Sequence, residues 1–241
     1  MRDTKDRDYV DRWFQLNLNV KSRTIFMGSV VQDYDGHEGG VDNYMAEFFI
    51  KGMNILEEKP DPVMIIMNNP GGDWNHGMAI YDAIKYSRCE CSIKVYGHAM
   101  SMGSIILQAS DKRIMMPSSK FMVHYGYASF NNHAKVVDKW VDENKWNDID
   151  MENIYIEKMM IKEAKEGEGY LEKTINSILV RQNQFDHPQY KKQKDVSIND
   201  EEDLRVVMKE KMLVLDTILT AEETVSLGLA DEVFDVNKLR N

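Results

Sequence analysis

The chain is short of cysteine, of proline and of basic charge, and each shortage excludes something. Only Cys89 and Cys91 occur in 241 residues, with a single residue between them. Cysteines so spaced in an expected strand do not bridge readily, and two ligands make no zinc site. They read as reduced packing residues of a cytoplasmic protein. Thirty basic residues against 40 acidic ones leave a net charge of −10, which argues against a nucleic-acid or anionic-membrane surface. No apolar run approaches the roughly 18 residues that span a bilayer. The opening "MRDTKDRDYVDRW" is too charged for a signal peptide. No repeat or low-complexity tract stands out. His37, His76, His98, His124, His133 and His187 show no metal-ligand spacing, so neither a metal nor a cofactor is expected.

What remains is a globular composition, 43% hydrophobic and 29% charged, long enough for one domain with a sizeable core. "SRTIFMGSVV" (22–31) is rich in strand formers, and "GVDNYMAEFFIKGMNILEE" (40–58) has apolar residues at helical spacing and stops before Pro60. The continuous apolar run "PVMIIMNN" (62–69) has buried-strand length. After it come a "PGG" turn, the helical pattern "NHGMAIYDAIKYS", the strand "CSIKVYG", the turn "GHAMSMGS" and the apolar helix "MGSIILQAS". "KRIMMP" and "KFMVHYG" are two further short strands. This βαβα rhythm predicts a mainly parallel sheet covered by helices.

From residue 130 to 210 the character changes to long, charge-laced helical pattern, with Trp140 and Trp146 embedded and Pro188 as a break. A helix of this kind is placed to pack on another subunit. Residues 167–210 carry few apolar side chains, too little for an independent core, and are expected to form a peripheral, partly mobile element. The last stretch, "LVLDTILTAEETVSLGLADEVFD", predicts a short strand, a Thr220–Glu223 helix start, a stop at Gly228 and a final strand.

A serine hydroxyl becomes a useful nucleophile when a neighbouring base takes its proton and oriented N–H groups receive the oxyanion. Ser101 sits where a strand hands over to a helix, with the N–H of Met102 directed at an acyl oxygen. The glycines of "PGG" let backbone approach a substrate closely, and Gly72 supplies a second N–H. His124, at the end of an expected strand, is the candidate base. Asp216, just before the last helix, is placed to fix its tautomer. His98, three residues before Ser101, is a rival base or a pocket-lining group, and His76 lines the cleft. Asp231 rivals Asp216, although "GLADEV" reads as a turn into a strand. "AMSMG" is not the G-x-S-x-G nucleophile elbow, because Ala99 replaces its first glycine.

Taken together, these segments resemble the Clp protease proteolytic subunit family, which has a crotonase-like fold. "NNPGGDWNHGMAIYDAI" resembles that family's "SPGG…G-x-x-IYD" segment, and "GHAMSMGSIILQAS" its nucleophile segment, with His98 where glutamine is common and Met100 for an alanine. "RIMMPSSKFMVHYG" resembles its base segment, except that Tyr-Gly follows His124 in place of Gln-Pro. "DTILTAEETVSLGLADEV" resembles its C-terminal segment. The likeness covers about residues 9–130 and 211–234, and Gly72 and Ser101 keep the family spacing without a gap.

The resemblance implies an α/β fold of repeated ββα/βα units with a projecting helical handle. It implies one protease domain over residues 1–241, with the handle enlarged at 131–210. It implies a serine endopeptidase with Ser101 as nucleophile, His124 as general base, Asp216 as its orienter, and Gly72 and Met102 as the oxyanion hole. Further implied are a homo-oligomeric ring, an AAA+ unfoldase partner, unfolded polypeptide as substrate and a cytoplasmic location. The interval between His124 and Asp216 is longer than the family usually has. Two alternatives remain beside it: a phage-type capsid-maturation protease, and a crotonase-type acyl-CoA enzyme. The second shares the two-N–H hole but needs an acid/base carboxylate in place of a serine–histidine pair.

Overall fold

A computed structural model of the chain describes residues 13–28, 39–127, 129, 131–183 and 195–239. These residues form two compact units, one of those up to Lys120 together with those from Asp231 on, the other of those between Phe121 and Ala230.

The first unit is built on a mainly parallel sheet, as the strand–helix alternation predicts. β1 (Leu18–Asn19) runs antiparallel to β2 (Thr24–Met27). β2 is parallel to β3 (Val63–Asn69), β3 to β4 (Cys91–Met100), and β4 to β5 (Lys112–Met115). β8 (Glu232–Val233) closes the order as a parallel partner of β5. The helices α1 (Asn43–Leu56), α2 (Trp74–Lys85) and α3 (Met102–Leu107) fall between these strands.

Local chemistry accounts for these boundaries. Asp42 and Asp73 cap α1 and α2, each accepting a hydrogen bond from the backbone N–H three residues on, at 2.8 and 2.9 Å. α1 buries Met45, Ala46, Phe49, Met53 and Leu56, a stripe at three- and four-residue spacing. At its end the Arg23 guanidinium donates to the carbonyls of Leu56, Lys59, Asp61 and Pro62 at 2.7–3.1 Å, which satisfies groups the helix leaves open. Ile65, Met67, Ile93, Val95 and Met115 are fully buried strand residues of the core. Cys89 and Cys91 are free and buried there.

One strand differs from expectation. β4 does not end at Gly97 but continues to Met100 through a bulge: Met67 pairs with Val95, yet Asn69 pairs with Ala99. Gly97 supplies the positive φ of 65° that the bulge needs. Asn68 holds it, accepting from the N–H of His98 at 3.3 Å.

The second unit begins within β6 (Lys120–Val123), at Phe121, and this strand is paired with β7 (Thr217–Thr220). Around this pair lie α4 (Ala134–Glu166), α5 (Tyr170–Asn183), α6 (Glu201–Val207) continued by one π-helical stretch (Met208–Leu213), and α7 (Ala221–Ser226). The C-terminal half of α4 buries Met151, Tyr155, Ile156 and Met159, and Tyr155 meets Phe121 of β6 edge-on at 6.4 Å. Its N-terminal half leaves Val141, Trp146 and Ile149 exposed. α7 starts with the expected capping box between Thr220 and Glu223.

Residues 167–210 differ from their reading as a coreless appendage. Leu171, Ile175, Ile178 and Leu179 of α5 are buried, as are Leu204, Val207 and Met208. Arg181 grips Glu223 of α7 through two bonds of 2.6 and 2.9 Å and donates to the Ile218 carbonyl at 2.8 Å. The apolar stripe is thin and diluted by charge, so composition understates it. Pro188 lies outside the described residues. Ile175→Ala is therefore expected to cost about 2–5 kcal/mol in urea unfolding, against less than about 0.5 kcal/mol for the exposed Ile161→Ala. Equal, small losses would return this segment to the periphery.

Candidate active site

Ser101 lies between β4 and α3 with φ 51° and ψ −125°, a left-handed backbone that a non-glycine residue adopts only when its surroundings impose it. Those surroundings are visible. Every residue of α3 is buried, and the carbonyl of Ser101 accepts from the N–H and the hydroxyl of Ser104 at 2.9 and 2.5 Å. The "PGG" turn runs directly against it. A Cβ on Gly71, which has φ 110°, would stand 2.5 Å from the Ser101 Cβ and 3.0 Å from its Oγ. Only glycine fits there.

The turn itself is tied on both sides. The fully buried Asn69 accepts from the Gly71 N–H at 2.9 Å and places its amide nitrogen 3.4 Å from Met45 Sδ. Val41 forms a parallel bridge to Gly72, donating to the Gly71 carbonyl at 2.6 Å and accepting from the Asp73 N–H at 2.9 Å. Met102 packs its side chain onto Gly77, where a Cβ would collide with it. Gly71, Gly72, Ser101 and Met102 are thus assembled within the first unit. Sequence reasoning missed Asn68 and Asn69 and saw Gly71 only as one glycine of the turn; the signal was a polar Asn-Asn pair closing an otherwise apolar strand.

In the second unit, Nδ1 of His124 lies 3.0 Å from Oδ1 of Asp216. With its proton on Nδ1 the ring donates to the carboxylate, and Nε2 is left as the basic nitrogen. His124 follows β6 and Asp216 precedes β7, so the pairing of these two strands brings the residues together. Two adjacent carbonyls fix the neighbours of the pair. Leu213 accepts from the Tyr125 N–H at 2.9 Å, and Met212 accepts from the Thr217 hydroxyl at 2.7 Å. The His124 side chain is 23% exposed and that of Asp216 71% in the single chain.

Of the rivals, Asp231 is engaged elsewhere. Asp231 belongs to Arg113, which meets it at 2.6 and 3.1 Å through the guanidinium and at 2.7 Å through its backbone N–H. His98 sits in the β4 bulge and His76 in the exposed first turn of α2. Burial pushes the Cys91 thiol up to about 11, leaving it almost wholly protonated and a poor nucleophile near neutral pH. His37 and His187 lie outside the described residues.

Residues 14–181 match the family described as Clp protease. The ATP-dependent Clp protease proteolytic subunit of Deinococcus radiodurans is 34% identical over 119 residues, which are 48% of this chain and 53% of that protein. The chain thus spans about half the length of the curated relative it matches. The family match takes in the "PGG" turn, Ser101 and His124 but ends before Asp216. Because it covers well over half of the sequence and the elements that carry these residues, the chain belongs to the Clp protease family.

Proposed function

We propose that the protein is a serine endopeptidase of the Clp proteolytic-subunit type, with Ser101 as nucleophile, His124 as general base and Asp216 as its orienter. The observation that carries this reading is the 3.0 Å pair of His124 and Asp216. Asp216 lies beyond the residues of the family match, so the pairing is independent of the match. The carboxylate holds the imidazole in the tautomer that can accept a proton, and it stabilises the imidazolium that forms.

In this mechanism the Ser101 hydroxyl adds to the scissile carbonyl as His124 takes its proton. The N–H groups of Gly72 and Met102 receive the developing oxyanion. The imidazolium then protonates the leaving amine, and water, activated by the same imidazole, releases the acyl group. The strained Ser101 backbone and the glycine facing it hold the nucleophile in place before substrate arrives. An acyl-CoA lyase or isomerase would have no use for a strained serine or for a histidine oriented by a carboxylate, which favours peptide hydrolysis.

The same reading includes a homo-oligomeric ring, unfolded polypeptide as substrate and an AAA+ unfoldase that delivers it. Exposed Val141, Trp146 and Ile149 on α4 are the surface expected to be covered by a second copy. Light scattering of the purified chain should therefore give a mass well above 28.0 kDa, and a monomer retaining a reactive serine would reject the assembly.

A fluorophosphonate probe should label Ser101 far above Ser104, Ser110 or Ser129, and Ser101→Ala should abolish labelling without loss of assembly. His124→Ala should slow labelling by about 10²–10⁴-fold. Asp216→Asn should cost less, because water screens an exposed carboxylate while its orienting role remains. Gly71→Ala should remove labelling through displacement of Ser101. Undiminished labelling of Ser101→Ala refutes the mechanism.

A further inference from the structure

Glu152 is a carboxylate where the core of a helical layer should be apolar: it lies in the buried half of α4, and its side chain is 3% exposed. A buried carboxylate is costly unless donors and cations surround it, and a hydrophobic residue of similar volume often serves stability as well or better. What surrounds Glu152 joins two parts of the second unit. Tyr125, the residue after His124, donates its hydroxyl to Oε1 at 2.8 Å. On the other side Lys209 Nζ stands 3.3 Å and Arg205 Nη1 3.5 Å from Oε2. Arg205 is held in turn by Asn153 Oδ1 at 2.9 Å and Glu201 Oε1 at 3.1 Å.

Both cations lie beyond the family match, in α6 and the π-helical stretch that follows it. That stretch ends in Leu213, and its Met212 and Leu213 carbonyls hold Thr217 and Tyr125, the residues immediately after Asp216 and His124. Tyr125 is therefore fixed twice, by its N–H to Leu213 and by its hydroxyl to Glu152. Burial and the neighbouring Glu152 push its phenol up, so it stays a donor near neutral pH. Asp148, one turn before Glu152 on α4, has its carboxyl pushed up by burial and by Glu152, with Lys209 opposing.

We propose that Glu152 and Tyr125 are positioning residues: through them, the added α6 and π-helical segment sets the geometry of the His124–Asp216 pair. The proposal rests on the proteolytic reading. It assigns the network a role in the rate of acylation rather than in binding, because its effect reaches the reaction only through the imidazole.

The test is the time course of fluorophosphonate labelling on the full chain, resolved into a maximal rate kinact and a half-saturation KI, with melting followed in parallel. Tyr125→Phe removes one hydroxyl and keeps the ring, so it leaves the packing intact. It should lower kinact about tenfold, as a small misplacement of a catalytic group does, with KI nearly unchanged and the fold retained at a melting temperature lowered only by the loss of one hydrogen bond to a buried carboxylate. Glu152→Leu should match it, whereas Glu152→Gln, which keeps an oxygen for Tyr125, should recover most of the loss. A wild-type kinact in Tyr125→Phe overturns the positioning role, and so does a loss carried entirely by KI. Wild-type labelling that is absent or survives Ser101→Ala overturns the proteolytic reading and this inference with it.

Discussion

A serine whose backbone is held at φ 51° by everything around it is the constraint on which the first unit turns. Ser101 cannot rest in that conformation through its own preferences; a left-handed backbone costs a non-glycine residue of order 1–3 kcal/mol. The cost is met by a continuous set of contacts. The β4 bulge, held by Asn68, redirects the strand just before the serine, and the buried helix α3 fixes the chain just after it. Asn69 anchors the glycine turn alongside and also faces Gly103, the second residue of α3. Two neighbouring asparagines at the end of β3 thus govern the approach to Ser101 and the turn beside it. They are polar because backbone N–H groups must be satisfied where two irregular segments leave the sheet.

The second unit solves a different problem. A histidine and an aspartate far apart in sequence must be presented at one hydrogen-bond distance, and the pairing of β6 and β7 does most of this. Strand pairing fixes register to a residue but not the rotation of the first residue outside each strand. The carbonyls of Met212 and Leu213 supply that second restraint, one to each side. They come from a π-helical stretch, where the wider ring lets carbonyls point away from the helix axis, and such stretches recur at functional sites.

Much of this was legible in the sequence. The parallel sheet followed from apolar runs of strand length alternating with helical stripes, and the capping box of α7 from Thr220 and Glu223 alone. Ser101, His124 and Asp216 stood out because their residue types and positions at element ends carry chemistry. The β4 bulge was not legible, since a glycine after an apolar run reads equally as a turn or as a bulge. Nor was the core of residues 167–210, where Leu171, Ile175, Ile178 and Leu179 are outnumbered by charge. Composition averages over both faces of a helix, whereas burial depends on one. Asn69 and Gly71 escaped notice because their roles exist only once Ser101 is beside them.

Asp216 and Asp231 show why residue type alone could not decide between two candidates. Both precede short strands near the C-terminus, and both accept hydrogen bonds. Asp231 closes on Arg113 through side chain and backbone at once, and this ties β5 to β8 across the edge of the sheet. A carboxylate already saturated by a guanidinium has no capacity to orient an imidazole. Asp216 has the opposite surroundings: a histidine at 3.0 Å and otherwise much solvent. An exposed pair of this kind contributes little to stability, so its geometry must be maintained by its neighbours rather than by its own attraction. Tyr125, Met212 and Leu213 are the neighbours placed to do so, and on the positioning proposal this role is what makes a costly buried carboxylate tolerable behind them.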